Sequence, residues 1–371
     1  MTYCSAATTG EPAGRACVTH RRAGKRSATA DLAPDSGGLR AKCAYPPYES
    51  SPMTNVLILL TLPEDIRTQY RDRLSATFPQ LKVDLVDHNS KVDPYIGDAD
   101  VLITFGPMLV DRVFAQAKNL KWVQALGTGV DNLIDLPSLP KDAIVTNLHG
   151  IHGPPLSEAA FGAMLLLSRR MHHSVRAQDK RQWARWPSTL LNGKTVGVLG
   201  VGAIAADLAP RLKAFNMKVV GITSAPRTVP GYDEMRPRDP LHEAVHDLDY
   251  LVLLTPLTPA TKGIVDAHVL AAMKPTAFLV NLARGGVVDE TALVDALRAR
   301  RIAGAAVDVF VQEPLPPDSP FWELDNVFIT PHLGGFNDQY VDHAMPVIEQ
   351  NMRAFLAGTA PAEMMNVVAR T

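Results

Sequence analysis

A chain of 371 residues with 46% hydrophobic and 20% charged side chains is long enough for two domains around a sizeable core. Its formal net charge of −1 offers no field to gather polyphosphate backbones or acidic lipid, so nucleic-acid and membrane-surface partners are set aside. No apolar run approaches the ~20 residues a membrane span requires. The longest, AAFGAMLLLS, is flanked by Glu158 and Arg169-Arg170, and a cytoplasmic location is expected.

Residues 1–52 stand apart. They are rich in Ala, Ser, Gly and Arg, lack hydrophobic periodicity and hold all three cysteines: Cys4, Cys17 and Cys43. Seven basic against four acidic side chains give them +3, leaving residues 53–371 with 30 against 34, a net −4. Such a segment buries too little apolar surface to offset its ordering entropy, and a disordered extension is expected. Either the start is over-extended and Met53 is the true initiator, or the segment is an Arg- and Ser-rich transit peptide. Without cysteine beyond Cys43, the folded part has neither disulfides nor thiolate metal sites.

At Met53 the pattern changes to short apolar runs alternating with amphipathic stretches, which predicts a parallel α/β architecture. VLILL, LKVDLVD, ADVLITF, LKWVQAL and AIVTNL read as strands, with helical segments such as EDIRTQYRDRLSATF between them. A long helix is expected from about Ser157 to Arg181. A second series follows: TVGVLG, KVVGIT, YLVLLTP, TAFLVNL, GAAVDVF and VFITPH. Two doubly wound parallel-sheet domains result. In NLHGIHG, His149 and His152 are spaced like a metal pair, but no carboxylate or cysteine cluster completes a site, so both are read as loop residues and no metal is expected. His172 and His173, with Trp183 and Trp186 beyond, read as a surface packed against a second subunit, which points to a homodimer.

The chemistry is concentrated in the second series. TVGVLGVGAIAADLAPRLKAF reads as strand, glycine turn and helix, the arrangement that sets a dinucleotide pyrophosphate on a helix N-terminus. Gly200 makes the tight turn, Gly202 lets phosphate approach, Ala205 packs helix on strand, and Ala203 and Ile204 open the helix. The next strand ends in KVVGITSAPRTVPG, where an acid normally holds the ribose hydroxyls of NAD. Thr223 and Ser224 stand there instead and Arg227 follows, a donor and a cation suited to the 2′-phosphate of NADP. The alternative is NAD held by backbone contacts, with Arg227 a solvated loop residue.

Three strand-end groups complete the pattern: Arg284 in NLARGGVVDE, Glu313 in VFVQEPLPP and His332 in FITPHLGG. A guanidinium can fork onto a carboxylate and a keto oxygen, with Gly285-Gly286 leaving room beside it. An imidazole of ordinary pKa ~6.5 can protonate a carbonyl in one direction and accept a proton in the other. Glu313 pairs with that imidazole and fixes its tautomer.

In this order, NLARGG, DVFxxEPLP and TPHxGG resemble the D-isomer-specific 2-hydroxyacid dehydrogenase family, nearest to its glyoxylate/hydroxypyruvate reductase-like branch, from Met53 to the C-terminus. The resemblance implies a Rossmann-type coenzyme domain (154–334) inserted into a flavodoxin-like catalytic domain (53–153 and 335–371), reached again by the helix DQYVDHAMPVIEQNMRAFLAG. It implies joints near Gly153-Pro154-Pro155 and Gly334-Gly335, with hinge closure over substrate. By the same resemblance the amides of GTGVDNL, at Thr128 and Gly129, bind the substrate carboxylate beside Arg284. Thr255, Pro256 and Leu282 face the cofactor, while Asp308 either lies near the nicotinamide or organises its turn. The expected reaction is NAD(P)-dependent reduction of a small 2-keto acid to the D-2-hydroxy acid. Two alternatives stand: a formate- or phosphite-type dehydrogenase, although the formate branch pairs its histidine with glutamine, and a dinucleotide-sensing protein like the corepressors of this fold.

Overall fold

The computed structural model describes residues 53–106 and 109–370. The expected extension, 1–52, lies outside the described residues. The first sheet contains β1 (Asn55–Leu59), β2 (Lys82–Val86), β3 (Val101–Thr104), β4 (Trp122–Ala125) and β5 (Ile144–Thr146), in the order β2-β1-β3-β4-β5. Every neighbouring pair is parallel. Parallel neighbours need crossovers, and α1 (Glu64–Thr77), α2 (Asp93–Ile96) and α3 (Asp111–Ala115) lie between the strands. Along β1, Val56 and Ile58 face one apolar cluster and Leu57 and Leu59 the other. Burial on both faces explains why this strand reads as a continuous apolar run.

Next come α4 (Gly153–Arg169) and α5 (Met171–Asp179), then a second sheet with its helices: β6 (Thr195–Leu199), α6 (Ala203–Ala214), β7 (Lys218–Thr223), β8 (Glu234–Pro237), α7 (Leu241–Val245), β9 (Tyr250–Leu253), α8 (Ala267–Ala272), β10 (Phe278–Asn281), α9 (Glu290–Arg298), β11 (Gly304–Val307) and β12 (Val327–Ile329). All seven strands are parallel, in the order β12-β11-β10-β9-β6-β7-β8. The order reverses between β6 and β9, the crevice where doubly wound sheets bind ligands.

Two expectations from the sequence are corrected here. The single helix expected from Ser157 to Arg181 is two, because Arg170 adopts a left-handed conformation (φ 52°) that ends α4 and starts α5. It also begins earlier, at Gly153, with prolines in its first turn, where a missing N–H costs nothing. The second series has a seventh strand, β8, whose sequence EMRP carries no apolar pattern. Pairing with β7 and the bonds of Arg236 to Glu234 (2.7 Å) and Asp247 (2.6 Å) hold this edge.

The last helix, α10 (Tyr340–Leu356), packs against the first sheet: Tyr340, Ala344, Met345, Ile348 and Met352 share a core with Val56, Ile58 and Trp122. A buried polar chain fixes its register. Gln124 Oε1 accepts from Thr146 Oγ1 (2.8 Å) and Asn351 Nδ2 (3.0 Å), and Asn351 Oδ1 accepts from the Met365 backbone N–H (2.6 Å). These bonds satisfy buried polar groups that are costly when unpaired. The chain therefore passes from the first sheet to the second through α4 and returns after β12.

Candidate active site

Every strand of the second sheet that leads to a sequence-predicted site residue releases it at its carboxyl end. After β6, Gly200 holds φ 98°, and a Cβ there would stand 2.6 Å from the backbone nitrogen of Thr255. Only glycine permits that approach, so the turn is seated against the loop after β9. Gly202 precedes α6, and a Cβ on it would meet nothing within 4 Å. An open glycine face at the start of a twelve-residue helix is the form a pyrophosphate cradle takes, so these residues fit a dinucleotide. At the end of β7, Ser224 and Arg227 are exposed, and Arg227 Nη2 donates to the Val201 carbonyl (3.1 Å), placing this cation across the glycine turn.

Arg284 follows β10. Its Nε donates to Asp131 Oδ2 (2.5 Å) and its Nη1 to the Ala283 carbonyl (2.7 Å), which fixes the plane of the guanidinium. Nη2 lies over Gly129, where a Cβ would sit 1.5 Å from it. Thr128 and Gly129 are thus brought beside Arg284, and their backbone N–H groups donate to no protein acceptor among the described residues. Asp131 belongs to the same GTGVDNL segment and was not singled out from sequence. Gly285 leaves less room than expected: a Cβ there would lie 2.0 Å from the Phe310 carbonyl carbon. It permits backbone packing of the Arg284 loop on the loop that carries Glu313. Gly285→Ala is therefore expected to cost about 1–3 kcal/mol and to lower activity, read by thermal melting and turnover together.

His332 and Glu313 meet, with Nδ1 2.7 Å from Glu313 Oε2. The other Glu313 oxygen accepts from the Phe310 N–H (2.9 Å). Partial burial pushes the Glu313 carboxyl up, but the His332 bond, the Phe310 N–H and the Arg284 charge outweigh it and hold the group below its ordinary range. His332 itself stands at φ 54°, a conformation that costs a non-glycine residue about 1–3 kcal/mol. Asp308 holds it there. The Asp308 carbonyl accepts from His332 N–H (2.8 Å), Oδ1 accepts from Thr330 Oγ1 (2.5 Å) and Leu333 N–H (2.8 Å), and Oδ2 accepts from Gly334 N–H (2.9 Å). Of the two roles expected for Asp308, organising the turn is one that its carboxylate fills. Leu282 packs in the core, 9% exposed; a Cβ on Gly334 would stand 3.2 Å from its Cδ2. Thr255 borders the glycine turn, and the Pro256 carbonyl accepts from Thr261 Oγ1 (2.7 Å).

His152, read from sequence as a loop residue, stands just before α4 and is buried. The residue is 7% exposed, and its ring lies between Thr128 and Tyr340. Among the described residues no group of three or more His, Cys, Asp or Glu side chains is gathered as a metal site.

A glycine cradle at the switch point, with an arginine and a glutamate-paired histidine at neighbouring strand ends, defines a dinucleotide-linked oxidoreductase. Comparison with known proteins gives the same class. The family model for the D-isomer specific 2-hydroxyacid dehydrogenase NAD binding domain matches residues 161–334. Glyoxylate reductase of Korarchaeum cryptofilum is 33% identical over 289 residues, 73% of this chain and 84% of that protein. D-3-phosphoglycerate dehydrogenase of Methanocaldococcus jannaschii is 34% identical over 276 residues; the match spans 73% of this chain and about half, 52%, of that protein. The crystal structure of a D-isomer specific 2-hydroxyacid dehydrogenase from Xanthobacter autotrophicus, in complex with NADPH and MES, superposes with a TM-score of 0.70 at 31% identity, covering 85% of this chain and 98% of that one. The chain belongs to the D-isomer-specific 2-hydroxyacid dehydrogenase family. It is an NAD(P)-dependent oxidoreductase acting on CH–OH groups, built from two parallel-sheet α/β domains.

Proposed function

We propose that this enzyme reduces a small 2-keto acid of the glyoxylate or hydroxypyruvate kind to the D-2-hydroxy acid, with NADPH preferred. The observation that carries the reading is the His332–Glu313 pair at 2.7 Å, formed at the strand ends next to that of Arg284. The bound nicotinamide supplies the hydride. Arg284, oriented by Asp131, forks onto the substrate carboxylate and keto oxygen, and the amides of Thr128 and Gly129 take the carboxylate from the other side. Ionised Glu313 accepts the Nδ1–H of His332, so Nε2 carries the proton that passes to the keto oxygen, leaving a neutral imidazole. Polarising the carbonyl and delivering this proton both favour the charge distribution of the transition state over that of the ground state.

In this reading residues 53–153 with 335–371 form the catalytic domain and 154–334 the coenzyme domain, joined at two crossings that hinge. A cytoplasmic homodimer, with no nucleic-acid or membrane partner, completes it. Trp183 (93% exposed), Val175 and Leu190 around α5 support the dimer, because exposed apolar groups of this size mark contact surfaces. The relatives named glyoxylate reductase support this choice of substrate, and those named D-3-phosphoglycerate dehydrogenase supply the competing one. The deciding experiment is a spectrophotometric screen of NADPH and NADH against glyoxylate, hydroxypyruvate, pyruvate, phenylpyruvate and 3-phosphohydroxypyruvate. Reduction of the phosphorylated acid alone, or of none, overturns the reading.

Arg284→Lys keeps the charge and loses the fork. Loss of a charge-assisted contact of about 1.5–3 kcal/mol lowers kcat/KM roughly tenfold to a hundredfold, and the drop is expected in KM as well as kcat.

A further inference from the structure

Among buried titratable groups outside the acid and base, His152 is bonded through both ring nitrogens. Its Nδ1 lies 2.9 Å from Thr128 Oγ1, its Nε2 lies 3.0 Å from the Tyr340 hydroxyl, and that hydroxyl donates to the Leu126 carbonyl. The protons in this chain have one arrangement. Tyr340 gives its single proton to Leu126, so it accepts from His152 Nε2–H. The neutral ring then presents a lone pair at Nδ1, which accepts the Thr128 hydroxyl proton. Burial, only partly offset by the Leu148 carbonyl and aided by the Arg284 charge, holds the imidazole down to about 4, so this polarity persists at neutral pH. The ring also touches both crossings between the sheets. His152 immediately precedes α4, and a Cβ on Gly335 would stand 3.1 Å from its Cδ2.

We infer that His152 is a positioning residue: it fixes Thr128, and with it the Leu126–Gly129 loop beneath Arg284, to α10. The bond to Thr128 and the Tyr340–Leu126 bond grip the loop at two points, two residues apart. With the Thr128 hydroxyl proton committed to His152, the backbone N–H groups of Thr128 and Gly129 are the loop's donors for a carboxylate. Their direction depends on the grip. This role rests on the proposal that the loop binds the substrate carboxylate, and it assigns the loop's geometry to a histidine remote in sequence from every catalytic motif.

The test separates the two bonds in the full-length protein. His152→Asn sets an amide group near the place of Nδ1 and keeps the Thr128 bond. His152→Gln reaches the place of Nε2 and keeps only the Tyr340 bond. With glyoxylate and NADPH, His152→Gln is expected to raise KM about tenfold, the worth of one hydrogen bond of about 1.4 kcal/mol, with a smaller change in kcat. Cofactor affinity, read by fluorescence titration, stays as in the wild type. His152→Asn stays closer to the wild type in KM. Thr128→Val, which cuts the same bond without altering the buried ring, raises KM similarly, and the double variant His152→Gln/Thr128→Val is no worse than either single one.

Unchanged KM in Thr128→Val overturns the inference even where His152→Gln does not fold. Additive effects in the double variant do so too, as does a KM in His152→Asn as poor as in His152→Gln. Arg284→Lys run alongside identifies the level of failure. If it raises KM while the His152 and Thr128 variants do not, only the positioning role falls. If Arg284→Lys also leaves KM untouched, the carboxylate site is misplaced and the inference falls with it.

Discussion

Replacing His332 with alanine is expected to lower turnover by about 10²–10⁴-fold, the usual contribution of a positioned general acid, while dinucleotide affinity is retained. The geometry supports so large an effect because the imidazole is held rather than merely present. Asp308 accepts from the His332 N–H and from the two backbone N–H groups that follow it, and Glu313 binds Nδ1 at 2.7 Å. Glu313→Gln preserves the shape and removes the carboxylate that accepts the Nδ1–H of His332, so a smaller loss is expected. The sign of the pH dependence follows from the depressed Glu313 carboxyl. Its contribution to stability is fully present above the ordinary carboxylate pKa and is lost as pH falls through the lowered value. Stopped-flow single turnovers with NADPH and glyoxylate measure the chemical step directly. His332→Ala turning over at the wild-type rate would remove the imidazole from the mechanism.

How much of this was legible beforehand depends on how far apart the partners are. Central strands such as VLIL and YLVL are apolar on both faces because helices cover both faces, so their sequence alone reveals them. β8 was not legible: EMRP is charged, and its strand state comes from β7 and from Asp247 beyond it. Nor was the break at Arg170, where no glycine marks the left-handed turn. In the site, Arg284, Glu313 and His332 each follow an apolar strand and carry a chemistry that names itself. Asp131 and Tyr340 do not. The Asp131–Arg284 bond joins residues 153 apart in sequence, and the His152–Tyr340 contact joins residues 188 apart. A side chain whose meaning lies in such a contact looks like any acid or any aromatic until the chain is folded. Gly285 shows the same limit from the other side. Its pairing with Gly286 suggested space, and the fold uses it for backbone packing.

NADPH is expected to exceed NADH in catalytic efficiency by tenfold or more, and the reason lies at one strand end. An acid there would repel a 2′-phosphate, and β7 instead ends in Thr223, with Ser224 just after it. Arg227 is drawn across the glycine turn by its bond to the Val201 carbonyl (3.1 Å), which sets a guanidinium beside the cradle with no carboxylate among the described residues paired to it. A second arginine, Arg238, follows the edge strand that the sequence did not reveal. The Arg238 backbone N–H donates to the Thr223 carbonyl (2.9 Å), although its side chain is shared with Asp239 (2.8 Å). Each charge-assisted contact contributes about 1.5–3 kcal/mol, and one such contact already shifts the preference about tenfold or more. Ser224→Asp combined with Arg227→Ala replaces attraction with repulsion, and NADH should then be preferred. The measurement is kcat/KM for both dinucleotides, with dissociation constants from nucleotide fluorescence, so that a change in binding is distinguished from a change in chemistry. A wild type that favours NADH, or a double variant whose ratio does not move, means that this strand end does not read the phosphate.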